Sequence, residues 1–154
     1  MKKIIIFLFA SFMLSSCQSQ KTVTETKNTE TSKLTDQQLM DKVQKDALKY
    51  FWDYAEPNSL LGRERYHEDN IYPQNDKHVV TTGGSGFGLA TVLVGVERGF
   101  IPREEAVKRL NTMMDFLAKA DRFHGAWSHW INGETGKVVP FGRKDNGGDL
   151  VETA

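Results

Sequence analysis

Three carboxylates fall within eight residues: Asp145, Asp149 and Glu152, in the run Asp145-Asn146-Gly147-Gly148-Asp149-Leu150-Val151-Glu152. Intervals of four and then three would stack all of them on one face of a helix, with Leu150 and Val151 turned towards a core. Like charges held together raise the pKa of at least one group. A carboxyl kept protonated near neutral pH can serve as a general acid. Glycoside hydrolysis needs such a pair, one acid and one base or nucleophile. The same spacing also fits a plain charge cluster at a helix N-terminus, where acids are favoured in any case. A calcium site is a third reading, but the loop lacks the EF-hand ligand pattern.

A second constellation is aromatic. Phe123, His124, Trp127, His129 and Trp130 lie within eight residues, and Tyr50, Phe51, Trp52 and Tyr54 precede them. Sugars stack their C–H faces on aromatic rings and hydrogen-bond to Arg, His and carboxylates. Trp127, His129 and Trp130, with Arg63 and Arg65 from an upstream loop, are therefore the candidate substrate-binding residues. Either tryptophan alone would as readily fill a core. His124 and His129 are spaced unlike a zinc motif, and no metal or other cofactor is expected. Thr81-Thr82-Gly83-Gly84-Ser85-Gly86-Phe87-Gly88 superficially resembles a phosphate loop, but it has neither the lysine of that motif nor a βαβ context. It reads as a flexible entry to a helix, lining a cavity with backbone N–H groups.

The elements that must position these groups follow from periodicity. Thr35-Asp36-Gln37-Gln38 has the form of a capping box, and Leu39, Val43, Ala47, Tyr50/Phe51 and Tyr54 continue as an apolar stripe that Pro57 ends. Residues 58–80 form a long irregular segment holding Arg63, Glu64, Arg65, Tyr66, His67 and Tyr72, and loops of such length are usually functional or disordered. A second helix is predicted from Ser85 to Arg98, apolar on every side and hence buried all round. Its glycines 84, 86, 88 and 95 are assigned to close approach of a neighbouring backbone. Gly99 closes it. Pro102 opens a third helix with Glu104 and Glu105 in its first turn and an apolar stripe of Ala106, Leu110, Met113/Met114 and Leu117. Residues 127–141 read as a small hairpin turning at Asn132-Gly133, ahead of a fourth helix beginning near Asp149. The order amphipathic, buried, amphipathic suits a double-walled barrel of helical hairpins. The chain stops within two turns of that fourth helix and without a cap, which reads as a fragment.

The first 34 residues are targeting and spacing. Met1-Lys2-Lys3 and the apolar run Ile4 to Leu14 form a signal peptide over residues 1–16. Leu14-Ser15-Ser16-Cys17 reads as a lipobox with Cys17 as the lipidated residue. Residues 17–34 are that cysteine and a polar tether too poor in apolar side chains to fold, able to reach about 55 Å when extended. A lipid-anchored, cell-envelope protein is expected, attached to the membrane through Cys17 and acting as a monomer. Cys17 is the only cysteine, so no disulfide can form within the chain. Without Lys2 and Lys3, 18 basic residues face 20 acidic ones, a net charge of about −2, which argues against a nucleic-acid partner.

Taken in order, these segments resemble a known family. Gly62-Arg63-Glu64-Arg65, Thr81 to Gly88, Gly95-Val96-Glu97-Arg98-Gly99, Ala120 to Trp127, His129 to Gly136 and Asp145 to Thr153 are similar to the N-terminal part of the glycoamylase-like family, which includes glycoside hydrolase family 144. The resemblance covers about residues 38–154. It implies an all-α fold, the N-terminal part of an (α/α)6 barrel, with residues 35–154 as an incomplete catalytic domain. It implies endo-hydrolysis of β-1,2-glucan with inversion, no cofactor, and a glucan oligo- or polysaccharide as partner. The family's DxxxDxxE acids match Asp145, Asp149 and Glu152, and a further essential Glu lies downstream of Ala154 in the family, so the 154 residues alone are expected to be inactive. Ser128 stands where the family pattern leads one to expect Pro. A non-catalytic sugar-binding lipoprotein and a transglycosylase on the same glucan are the alternatives.

Overall fold

The computed structural model describes residues 33–154. The expected signal peptide, Cys17 and all of the tether but its last two residues lie outside the described residues. Among the described residues helices are the main regular structure, with four short strands. No helix there is long and apolar enough to cross a membrane.

Helix α1 (Asp36–Trp52) starts on the expected capping box. Thr35 Oγ1 accepts from the Gln38 N–H at 3.2 Å, and Gln38 Oε1 accepts from the Thr35 N–H at 2.9 Å. Its inward face is not the stripe expected from sequence. Leu48 is buried and Phe51 and Trp52 are half-buried, whereas Leu39 and Val43 are exposed. The two stripes lie side by side on the helix, and contact with its neighbours selects one. Arg109 fastens α1 to a later helix, donating to the Phe51 carbonyl at 2.9 Å and lying over the Trp52 ring.

The segment expected to be irregular contains strand β1 (Val79–Thr81). Three residues are too few to show a period, but two β-branched valines that are 4 % and 0 % exposed fit a strand buried on both faces. Helix α2 (Thr82–Glu97) follows without a break, so the glycine-rich stretch is its first turns and not a flexible entry. Nor is α2 buried all round. Ser85, Gly88, Val92 and Gly95 are buried, while Phe87 and Leu93 are 75 % and 63 % exposed. A uniformly apolar helix has no intrinsic direction, and here α1, α3, α4 and β1 cover it only in part. At two of its glycines the close neighbour is a side chain and not a backbone: a Cβ at Gly88 would lie 2.9 Å from the Phe51 ring, and one at Gly95 3.1 Å from Ile101. Gly99, at φ +67°, ends the helix as expected, with the Phe100 N–H returning to the Gly95 carbonyl.

Helix α3 (Arg103–Lys119) begins one residue after Pro102 and buries Ala106, Met113 and Leu117 as its stripe requires. Strands β2 (Arg122–Phe123), β3 (Ala126–Trp127) and β4 (Trp130–Asn132) follow. β2 and β3 pair with each other, and β4 pairs antiparallel with β1, Ile131 opposite Val80 and Trp130 opposite Thr81. The return expected after β4 is present as a bridge from Ile131 to Val138. Its turn is longer than an Asn-Gly pair: Asn132 Oδ1 accepts the Glu134 and Thr135 N–H groups, and Gly136 at φ +72° takes the left-handed position. Helix α4 (Leu150–Thr153) is the last element.

Two clusters make the core. Leu61, Val80, Met113, Leu117, Ala120 and Ile131 join the strands to α3, and Leu48, Val92, Ile101 and Ala106 join the three long helices. Each fully buried Leu, Ile, Val or Met side chain stabilises the fold by about 1.5–3 kcal/mol. Glu56 sits beside the first cluster and is wholly buried. Burial pushes its pKa up, but hydrogen bonds from Ser59, His78 and Asn58 outweigh this and hold the carboxyl below its usual range. It thereby ties loop 56–61 to the start of β1.

Candidate active site

The first turn of α2, the end of β3, β4 and the loop before α4 meet at one edge of the fold. The Thr82 N–H donates to the His129 carbonyl at 3.1 Å, and its hydroxyl to that of Ser128 at 2.6 Å. The Asp149 N–H donates to the Trp127 carbonyl at 2.7 Å, and the Trp127 N–H to Thr153 Oγ1 at 3.1 Å. These bonds dock α4 on β3 and so set where its acids stand.

The three acids do not share a helical face. Asp145 lies in the turn that follows Gly142, Asp149 is the N-cap of α4, and Glu152 is in its first turn. Two glycines and an N-cap of extended backbone separate Asp145 from the helix, so the four-residue interval is not a helical one. Leu150 and Val151 do not face a core either. They are 78 % and 87 % exposed, on a single helical turn with no element over it among the described residues.

Asp149 is held by three donors. Oδ1 accepts the Val151 and Glu152 N–H groups at 2.9 and 3.0 Å, and Oδ2 lies 2.9 Å from His129 Nδ1. The Glu152 N–H, then His129, hold its carboxyl below the usual carboxylate range. That reverses the expectation of repulsion for this residue, because donors and not fellow acids surround it. With Asp149 ionised, Nδ1 of His129 carries the shared proton.

Glu152 turns back to α2 and accepts the Gly83 N–H. The N-terminus of a helix carries a partial positive charge and unpaired N–H groups, a natural seat for a carboxylate. Only glycine leaves the carboxylate in this position, since a Cβ would lie 2.1 Å from Glu152 Oε2. Asp145 has no hydrogen-bond donor on its carboxyl among the described residues. With Asp149, His129, Trp130, Lys144, Gly147, Gly148 and Leu150 it lines a cleft of about 450 Å³.

The expected binding residues separate. His129 and Trp130 line this cleft, their rings 4.1 Å apart. Trp127 turns away to the core, its Nε1 donating to the Leu117 carbonyl at 3.0 Å. Arg63 donates to the backbone carbonyls of Tyr54 and Lys77, and Arg65 is paired with the buried Asp76 at 3.1 Å. Two participants were not singled out from sequence. Gly83 was visible only as one glycine among several. Glu64, whose carboxylate accepts from Trp130 Nε1 at 3.0 Å, was visible only as part of a charged loop. No group of three or more His, Cys, Asp or Glu that could hold a metal ion occurs among the described residues.

The exo-β-1,2-glucooligosaccharide sophorohydrolase (non-reducing end) of Parabacteroides distasonis is 50% identical over 144 residues, which are 93% of this chain and 18% of that protein. The endo-β-1,2-glucanase of Chitinophaga pinensis, solved with sophorotriose and glucose, is 60% identical with a TM-score of 0.76, over 79% of this chain and 29% of that one. This chain is similar, over part of their length, to proteins named as β-1,2-glucan hydrolases. The β-1,2-glucanase of Parabacteroides distasonis agrees, at 52% identity and a TM-score of 0.71 over 79% of this chain and 16% of that one. The chain thus spans less than a third of each of these β-1,2-glucan hydrolases. No family model matches it.

Proposed function

We propose that this chain contributes the acidic cleft of a β-1,2-glucan hydrolase. One observation carries the reading: Asp145 and Asp149 line the same cleft as Trp130 and His129, in a chain that is a homologue of enzymes named for that polymer. Asp149, kept anionic by its donors, is unsuited to give a proton. It serves as the fixed anion that holds His129 and receives or balances positive charge. Asp145, which accepts no hydrogen bond among the described residues, is the carboxyl left to meet the substrate. Glu152, anchored at the α2 N-terminus, holds α4 against α2 beside that cleft. Trp130 offers the apolar ring on which a glucose unit stacks. Inversion, in which one carboxyl protonates the leaving oxygen while another activates a water on the opposite face of the sugar, is the stereochemical course we assign.

The proposal extends to the architecture and to location. The exposed apolar side chains Phe87 and Leu93 on α2, with Leu150 and Val151 on α4, support an (α/α)6 barrel in which further helices pack on these faces. The lipobox supports a lipid on Cys17 that tethers the protein in the cell envelope.

The test compares the full-length gene product with its Asp145→Asn and Asp149→Asn variants on linear β-1,2-glucan. The reading expects oligosaccharide release by the wild type and its loss in both variants. Glucan retention without release would instead favour a binding protein. Products longer than the substrate would favour transglycosylation.

A further inference from the structure

Glu64 is a residue that neither the acidic cleft nor the core requires, yet it is tied into both. Its backbone N–H donates to the Val79 carbonyl at 2.9 Å, and its neighbour Arg63 bridges Val80. Strand β1 therefore runs between the Glu64 segment on one edge and β4 on the other. Across it, the Glu64 carboxylate accepts from Trp130 Nε1 at 3.0 Å. Its second oxygen lies 3.7 Å from Arg65, whose guanidinium is anchored in turn by Asp76, 2 % exposed, at 3.1 Å. The carboxylate is thus braced from behind before it meets the indole.

Trp130 passes that constraint on. Its ring lies 4.1 Å from the His129 ring and 4.7 Å from that of Phe141. His129 is the group hydrogen-bonded to Asp149. An indole held only by ring contacts can rotate about its side-chain torsions. A hydrogen bond to an ionised acceptor is roughly twice as strong as a neutral one and fixes which edge of the indole faces inward.

We propose that Glu64 is a positioning residue for the cleft, acting through Trp130 to set the indole plane and, by ring contact, the His129–Asp149 pair. The role rests on the hydrolase reading for its effect on catalysis, but its geometric part stands without it. Glu64 does not itself line the cleft. It belongs to a chain of contacts, Asp76 to Arg65 to Glu64 to Trp130 to His129 to Asp149, that runs from a buried carboxylate to the site.

The experiment uses the full-length chain with Glu64→Ala, Glu64→Gln, Trp130→Phe and the Glu64→Ala/Trp130→Phe pair. Two readouts are taken: kcat and KM on linear β-1,2-glucan, and the NMR shifts of the Trp130 indole N–H and the His129 ring. A positioning role expects Glu64→Ala to lower kcat by about 10-fold or more and to move both resonances. It expects Glu64→Gln, whose amide oxygen can still accept from the indole, to keep kcat within about threefold of wild type. The pair should be no worse than Trp130→Phe alone, since contacting residues on one path are non-additive. Wild-type kcat in Glu64→Ala, equal losses in Gln and Ala, or additive losses in the pair would each overturn the proposal. If the wild type releases no sugar, the hydrolase reading has failed and NMR decides alone. Displaced His129 shifts in Glu64→Ala would then support the positioning role, and unmoved ones would overturn it.

Discussion

Gly83→Ala separates the positioning of Glu152 from the stability of the fold. An added Cβ would lie 2.1 Å from Oε2, 2.5 Å from Cδ and 2.8 Å from Oε1 of Glu152. The obstacle is the far end of a flexible side chain, so the carboxylate swings away and the backbone of α2 stays. Alanine in place of an interior helical glycine is worth up to about 1 kcal/mol, and less at Gly83 in the first turn of α2. The lost bond to a charged acceptor costs about 1.5–3 kcal/mol when its groups stay dry, and less here, where both residues are only half-buried. The two effects nearly cancel, leaving a net loss of about 1 kcal/mol. Activity is far more sensitive, because displacing a group in the site by about 1 Å can cost 10²-fold. Gly86→Ala is the internal control: nothing lies within 4 Å of its added Cβ, so it should stabilise the protein slightly and leave activity alone. The assay pairs urea denaturation midpoints with oligosaccharide release from β-1,2-glucan by the full-length protein. Release by Gly83→Ala within about twofold of wild type would refute the role given to the Gly83–Glu152 contact.

Three further outcomes are expected. Glu56→Leu removes the acceptor shared by Ser59, Asn58 and His78 and should destabilise by about 3 kcal/mol or more, seen as a lower denaturation midpoint. Because the folded pKa of Glu56 is lowered, its contribution is full above the unfolded value near pH 4.5 and fades as pH falls through the folded value. The difference in stability between wild type and Glu56→Leu should therefore shrink on acidification. Ile131→Ala empties a position 1 % exposed between β1 and α3 and should cost about 2–5 kcal/mol, also read from urea midpoints.

Much of this fold was legible in the sequence, and the exceptions share a cause. The capping box at Thr35, the Gly99 stop and the α3 stripe are local signals, and each is present where local chemistry puts it. The inward face of α1 was not legible, because two adjacent apolar stripes compete and only packing against α2 chooses Leu48. Strand β1 was hidden because three residues carry no period and its partners, Arg63 and β4, are remote in sequence. The acids were found by type, but their arrangement was not. The Gly147-Gly148 pair breaks the helical spacing, and Asp149 becomes a cap with donors around it. Glu64 and Gly83 escaped notice for a related reason. Each matters through one long-range contact, to Trp130 and to Glu152, and a contact of that kind leaves no mark on nearby residues.

The most direct measurement follows the first minutes of linear β-1,2-glucan with the full-length protein by proton NMR, reading the anomeric form of each new reducing end. The account predicts new reducing ends that first appear as the α-anomer and then equilibrate. Glucan bound with no new reducing end would contradict it.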